Sequence, residues 1–269
     1  MGKLEKAEKA YKNLGFLNSK AARPLRIQAE YLEPHDRFRR LGIKSTIIFF
    51  GSARIKSMEE AQAVYSAAQQ AYGKKVSRQT ETRLKQAEKM LNLSRYYEDA
   101  VELSRQLTLW TMEHNEGKQR YMITTGGGPG IMEAANKGAM EAGGRSIGLN
   151  ISLPMEQFPN PYITPELNFE FHYFFMRKYW FLYFAKAIVV FPGGFGTLDE
   201  MMEVLTLIQT KKVNKKMPIV LFGREFWDSV LNIDALVEWG TISARDVNLF
   251  KYVDTVDEAM EVLQAGLKA

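Results

Sequence analysis

The sequence predicts an α/β fold, Rossmann-like, with a doubly wound and mostly parallel sheet, and three observations carry that prediction. From about residue 45 onward, short apolar runs alternate with amphipathic stretches of helical period. That is the pattern of strands covered by helices on both faces of a sheet. Glycine turns follow three of the apolar runs, at Gly51, at Gly126-Gly127-Gly128-Pro129-Gly130 and at Gly193-Gly194-Phe195-Gly196. In an open parallel sheet such turns gather where strands hand over to helices, the edge at which ligands bind.

Taken in order, residues 1–44 read as a basic helical extension, broken near Pro24 and Pro34, and 45–269 as a single α/β domain. The run 45–50 (Ser-Thr-Ile-Ile-Phe-Phe) is a buried strand, and 58–72 and 94–116 are helices. Between those helices, 73–93 is polar and rich in Lys, Arg, Gln and Glu. The next strand, 121–124, comes far later than a βαβ unit of about 30 residues allows, so a helical insertion of about 73–93 is expected after the first strand. The alternation is then regular: helix 131–142, strand 146–149, a proline-punctuated loop 151–167, strand 169–173, aromatic helix 174–185, strand 186–191 and helix 197–210. Strand 217–222, helix 225–239, strand 250–253 and helix 256–267 complete the chain.

Composition excludes several function classes. Hydrophobic residues make up 46% and charged residues 25% of the 269, ordinary for a globular domain, and no apolar run reaches the roughly 18–20 residues of a membrane span. Cysteine is absent, which removes disulfides, thiolate metal ligands and cysteine nucleophiles. The opening Met1-Gly2-Lys3-Leu4-Glu5-Lys6 lacks an apolar signal core, so a cytoplasmic protein without membrane contact is expected. The net charge of +5 is local: residues 1–44 hold eleven Lys/Arg against five Asp/Glu. A basic arm of that kind is ordinarily a solvated helical face, and nucleic acid is not an expected partner.

The most informative stretch is 191–200, Phe-Pro-Gly-Gly-Phe-Gly-Thr-Leu-Asp-Glu. Its glycines are expected to turn through φ > 0 and admit a ligand close to the backbone. Thr197 is expected to cap the following helix, whose free N–H groups attract an anion such as phosphate. Asp199-Glu200 one turn inside sits oddly beside an anion, unless the acid acts on a sugar next to that phosphate. Neither longer glycine turn ends in the Gly-Lys-Ser/Thr of a P-loop or completes GxGxxG. Arg177-Lys178, two cations on an aromatic helix, either snorkel to water or reach a phosphate and a leaving group. His35, His114 and His172 are too scattered for a metal site, and no GxSxG elbow occurs.

Pro192-Gly193-Gly194-Phe195-Gly196-Thr197-Leu198-Asp199-Glu200 matches a PGGxGTxxE signature, with Arg177-Lys178 upstream and Thr125-Gly126-Gly127-Gly128-Pro129-Gly130 as an earlier glycine turn. Over about 45–253 the chain thereby resembles the LOG ("lonely guy") family of cytokinin riboside 5′-monophosphate phosphoribohydrolases, formerly labelled lysine decarboxylases. The extension and the insertion exceed the compact plant members. The resemblance implies hydrolysis of the base–ribose bond of a nucleoside 5′-monophosphate, an AMP-like purine nucleotide favoured, to free base and ribose 5-phosphate. It implies Arg177 and Glu200 as catalytic residues, and Gly193, Gly194, Phe195, Gly196 and Thr197 as the phosphate grip. Glu156, Lys178 and Thr206 are implied as further substrate contacts, with Gly51, Ser52, Gly126, Gly127 and Gly128 walling the pocket. It implies no cofactor or metal, and a homodimer or higher homo-oligomer with the aromatic helix as interface. The alternative is a non-catalytic carrier of a nucleotide or of the molybdenum cofactor on the same fold. A decarboxylase would need a lysine in a pyridoxal phosphate context, and none is recognisable.

Overall fold

The computed structural model describes residues 4, 6–115, 119–154 and 158–268. A 3₁₀ turn (Ala10–Lys12) and the short helix α1 (Leu14–Leu17) lead into α2 (Arg23–Arg40), then β1 (Thr46–Phe50), α3 (Met58–Lys74), α4 (Arg78–Leu93) and α5 (Arg95–Glu113). β2 (Met122–Thr125), α6 (Ile131–Glu141), β3 (Ser146–Ile151), β4 (Asn168–Phe171), α7 (Phe174–Tyr183) and β5 (Ala185–Val190) follow. The chain continues with α8 (Phe195–Gln209), β6 (Ile219–Phe222), α9 (Arg224–Val230), α10 (Ile233–Glu238), β7 (Lys251–Val253) and α11 (Val256–Lys268). The strands form one parallel sheet in the order β4-β3-β2-β1-β5-β6-β7, so the doubly wound α/β fold expected from the alternation is present.

Both faces of the central strands are buried, each against its own core layer. Ile47, Phe49, Val189 and Val220 face the layer built with α5, α6 and α11, while Ile48, Phe50, Ile188 and Leu221 face the layer built with α7 and α8. This two-sided burial is why the strands read as continuous apolar runs rather than alternating ones. The chain winds outward from β1 through β2, β3 and β4, then returns to place β5 on the other side of β1. The strand order therefore reverses between β1 and β5, and the crevice beyond their carboxyl ends is the switch point.

The polar stretch after the first helix is itself helical. α4 opens with a capping box in which the Ser77 side chain accepts from the Thr80 N–H and Thr80 reaches back, and it packs beside α3. Two expectations are corrected. Pro34 does not break the extension but lies inside α2, and Pro24 occupies its first turn, where a missing N–H costs nothing. The predicted helix 225–239 is two helices, because Asn232 caps α10 by accepting from the Ala235 N–H and so restarts the helix.

Pro34 cannot donate to the carbonyl of Glu30, four residues back. The indole Nε1–H of Trp180, on α7, donates to that carbonyl at 2.8 Å. The Glu30 carboxylate in turn accepts from the backbone N–H groups of His172 (2.8 Å) and Tyr173 (3.2 Å), immediately before α7 begins. Phe38 packs its ring against Phe169, Trp180 and Phe184. The extension thus holds the start of the helix that carries Arg177 and Lys178. Four of its cations are also engaged: Arg37 with Glu33, Arg39 and Arg40 with Asp36, and Arg26 with the carbonyls of Leu17 and Ser19. Among the described residues, no helix is long and apolar enough to cross a membrane.

Candidate active site

Backbone bonds bring the three glycine turns together at the switch point. The Phe191 N–H donates to the Phe50 carbonyl (2.8 Å), Ser52 N–H to Pro192 O (3.0 Å), and Ile131 N–H to Ser52 O (3.1 Å). The close approach explains two glycines. A Cβ on Gly51 would lie 2.6 Å from Ile131 Cγ2, and one on Gly130, which has φ +72°, would lie 2.3 Å from the Ser52 carbonyl oxygen. Ser52 is therefore the junction of the β1, β2 and β5 turns.

The turn after β2 is filled by its own neighbours. Asn160 donates from its backbone N–H to Gly127 O (2.8 Å) and from Nδ2 to Gly127 O (3.1 Å), Gly128 O (3.0 Å) and Asn136 Oδ1 (3.0 Å). The Thr125 hydroxyl accepts from the Gly127 N–H (3.0 Å) and donates to Asn136 (2.7 Å). Of the glycines expected to wall the pocket here, Gly127 and Gly128 are bound into this network, and Gly126 faces the site: a Cβ there would come 3.7 Å from Arg177 Nη1.

The turn after β5 differs in two ways from expectation. None of Gly193, Gly194 and Gly196 has positive φ, and Gly194 sits in extended backbone at φ −94°. Nor does Thr197 cap the helix. α8 begins at Phe195 with Gly194 as N-cap and no side-chain cap bond, so its first N–H groups keep no intrahelical acceptor. Thr197 instead lies buried in the first turn, where its Oγ1 would be 2.1 Å from a Cβ placed on Gly193; glycine is required there by contact rather than by φ. Phe195 is 93% exposed and Gly194 has open space where a Cβ would stand. The result is an uncovered helix N-terminus with its dipole directed at the crevice.

One turn further along α8, Glu200 is only 7% exposed. Its Oε1 is 3.7 Å from Arg177 Nη2 and its Oε2 is 3.7 Å from Lys178 Nζ, both too long for hydrogen bonds. Lys178 is held more closely by Asp199 (2.8 Å) and Glu203 (2.6 Å). Arg177 lies against the rings of Phe174 (5.0 Å) and Phe181 (5.6 Å). Glu200 Oε1 and Arg177 Nε are buried without a hydrogen-bond partner. Burial raises the Glu200 carboxyl to about 7, against the opposing pull of Lys178 and Arg177. The Arg177 guanidinium is lowered by desolvation, with the Glu200 charge countering it. For Lys178 desolvation works downward, but the hydrogen bonds to Asp199 and Glu203 and the charge of Glu200 outweigh it and leave the ammonium raised.

The remaining expected residues separate. Thr206 is exposed two turns along α8 and donates to the Met202 carbonyl of its own helix (2.7 Å), and Glu156 lies outside the described residues. Two contributors were not anticipated: Glu30, which braces α7 from the extension, and Asn160, which fills the first glycine turn. Pro34 is the one readable signal for the former, since a proline inside a continuous helix orphans the carbonyl of Glu30. Among the described residues, no group of three or more His, Asp or Glu could hold a metal ion.

A family described as "possible lysine decarboxylase" matches residues 132–263. A probable cytokinin riboside 5′-monophosphate phosphoribohydrolase of rice (Oryza sativa subsp. japonica) is 26% identical over 185 residues, 64% of this chain and 78% of the relative. A pyrimidine/purine nucleotide 5′-monophosphate nucleosidase of Escherichia coli K12 is 31% identical over 121 residues, 40% of this chain but only 25% of that longer protein. The X-ray structure of a structural-genomics target, TM1055, superposes with a TM-score of 0.50 over 82% of this chain and 99% of its own, at 21% identity, a likeness of fold. With three glycine turns meeting at the switch point, the Arg177–Glu200 pair behind the last of them and these matches, the chain is similar to the LOG family over its α/β domain.

Proposed function

We propose that the chain is a nucleoside 5′-monophosphate phosphoribohydrolase, an N-glycosyl hydrolase that releases the free base and ribose 5-phosphate, with AMP-like purine nucleotides as preferred substrates. The observation that carries the reading is the buried, incompletely bonded Arg177–Glu200 pair one helical turn behind an uncapped helix N-terminus. The N–H groups of 195–197 and the positive end of α8 bind the 5′-phosphate, and the ribose then lies over Glu200. As the C1′–N bond breaks, its electron pair leaves with the base and positive charge develops on the ribose. The ionised carboxylate of Glu200 stabilises that charge and takes a proton from the attacking water, and the water oxygen bonds to C1′. Arg177 places positive charge beside the departing base, whose nitrogen takes up a proton from solvent, while the proton on Glu200 returns to solvent. The names of the rice and E. coli relatives support the same reaction class. Against a decarboxylase, Lys178 is bound to the carboxylates of Asp199 and Glu203 beside that of Glu200, and is raised rather than poised for a Schiff base.

An apolar face adjoins the site. Leu25, Tyr31 and Leu32 of α2 and Phe174, Phe175, Tyr179 and Tyr183 of α7 are all exposed, and the rings of Tyr31, Tyr179 and Tyr183 join the two helices in one patch. A patch of this kind supports pairing of two copies of the chain.

Incubation with AMP, GMP, CMP and UMP, followed by chromatography of free base, tests the reaction. Wild type is expected to release base, with AMP best, and Glu200→Gln to lose about 100-fold or more. Because the carboxylate is the working form, kcat/KM should rise with pH through about 7. Tight AMP binding without base release would reject the hydrolase reading in favour of a carrier.

A further inference from the structure

The inserted helix α4 reaches the switch point. A cleft of about 280 Å³ opens beside the second glycine turn, with Ser52 and Gly193 in its floor and Met90 and Leu93 of α4 in its wall. Ile55 and Phe226 complete an apolar interior, and Arg54 and Lys89 stand at its polar rim. Neighbouring cations are neutralised, Lys56 by Glu60 and Lys85 by Glu81. Among the described residues, Arg54 and Lys89 are in no ion pair, and both are exposed. The volume is close to the low end of ligand sites, roughly 300 Å³, which is room for one ring-sized group.

The position of the cleft limits what it can hold. Most of its inner wall belongs to the core layer of α5 and α6, through Ile55 and Leu93, while Phe226 closes it from the layer of α7 and α8. Arg177 and Glu200 lie among residues of the opposite layer, between Met176, Phe181 and Met201. The glycine turn stands between them: its Gly193 lines the cleft, and neither Arg177 nor Glu200 does. A nucleotide whose phosphate sits on that turn and whose ribose reaches Glu200 directs its base away from α4. What enters the cleft is then joined to the far side of the phosphate.

We propose that the α4 cleft is a subsite for a group linked through a second phosphate to the substrate's 5′-phosphate, so that the chain binds nucleoside diphosphate conjugates ending in an aromatic or otherwise apolar ring. This rests on the reading of 193–197 as the phosphate cradle. The chemistry divides accordingly. Neutral backbone N–H groups and the helix dipole meet the first phosphate, the unpaired cations Arg54 and Lys89 meet the second, and Ile55, Met90 and Phe226 cover the ring. A monophosphate fills only the first of these places.

The test compares AMP with P1,P2-di(adenosine-5′) pyrophosphate, measuring affinity by calorimetry and base release by chromatography. Wild type should bind the dinucleotide about tenfold more tightly than AMP, and Met90→Trp, which fills the cleft, should remove that advantage. Lys89→Ala, at an exposed position, should weaken the dinucleotide about fivefold and leave AMP within about twofold. Equal affinities in wild type, or equal losses for both ligands in the variants, overturn the subsite. Dinucleotide binding that depends on Met90 without base release from either ligand keeps the subsite and rejects the hydrolase reading. Base release from AMP with dinucleotide affinity indifferent to Met90 does the reverse.

Discussion

Two glycine turns follow two parallel strands of the same sheet, and they are built to opposite ends. At Gly126–Gly130 the backbone is consumed: carbonyls of Gly127 and Gly128 accept from Asn160, the Gly127 N–H donates to Thr125, and positive φ at Gly127 and Gly130 fits the chain against Asn150 and Ser52. At Gly193–Gly196 no glycine has positive φ, no side chain caps the helix, and Gly194 and Gly196 have open space about them. The first turn is a fastening that fixes the switch point. The second is an open edge, where no side chain caps α8 and Glu200 Oε1 is buried without a hydrogen-bond partner. Glycine content alone does not separate the two roles; the fate of the backbone polar groups does.

Substitution at the fastening should give the largest effect. Gly127→Ala must place a Cβ 2.1 Å from Asn150 Oδ1 in backbone at φ +74°. Strain of about 1–3 kcal/mol at the left-handed position, added to loss of the Asn150 bonds to Asn168 and Phe169, should cost about 3–5 kcal/mol in all. Denaturant unfolding measures it. A loss under about 1 kcal/mol would mean the turn is not the rigid element described.

The contrast was only half legible in the sequence. Strands buried on both faces declare themselves as apolar runs, so the sheet, the late second strand and the helical insertion were readable from 45–50, 73–93 and 121–124. Arg177, Lys178 and Glu200 were readable through the resemblance of their motifs to the LOG family, and the structure brings the three side chains near one another. Positive φ and a Thr197 cap were expected at the second turn from the residue types alone. The actual constraint at Gly193 is a contact with the Thr197 side chain, which depends on where α8 begins, and helix starts shift by a residue or two. Asn160 and Glu30 were invisible for another reason. Each sits in sequence far from the backbone it satisfies, Asn160 some 33 residues from Gly127 and Glu30 some 142 from His172, and no periodicity marks such a pairing.

A buried acid beside the open turn should show itself as a pH-dependent cost. Glu200 titrates near 7 in the fold against 4.5 as the ordinary value. The folded chain therefore holds the proton more tightly than the unfolded one, and ionisation works against folding. The cost is absent below about 4.5, grows as pH rises, and is complete above about 7. Glu200→Gln has no such titration. Its stability relative to wild type should climb by about 1–3 kcal/mol between pH 4.5 and 8, read from thermal or urea midpoints. A difference that stays flat with pH would place Glu200 in a well-solvated or fully paired site and remove the contrast with the first turn.

The smallest effect on stability should come from Gly194→Ala, and it is the sharpest test because the residue types match those at Gly127. Gly194 is at φ −94° and ψ −152°, backbone an alanine adopts without strain, and an added Cβ meets nothing within 4 Å. The reduced freedom of the unfolded chain favours alanine by about 0.4–1 kcal/mol, while glycine is the better N-cap by a comparable amount. The net change in unfolding free energy should therefore lie within about 0.5 kcal/mol of zero. Phosphate affinity should respond instead, because the methyl group stands in the open space at the helix N-terminus that the anion is proposed to occupy. A rise in KM for AMP of about tenfold with unchanged stability is the expected outcome. Lost stability together with an unaltered KM would make the second turn a fastening like the first, and the phosphate site would have to be sought elsewhere on the sheet edge.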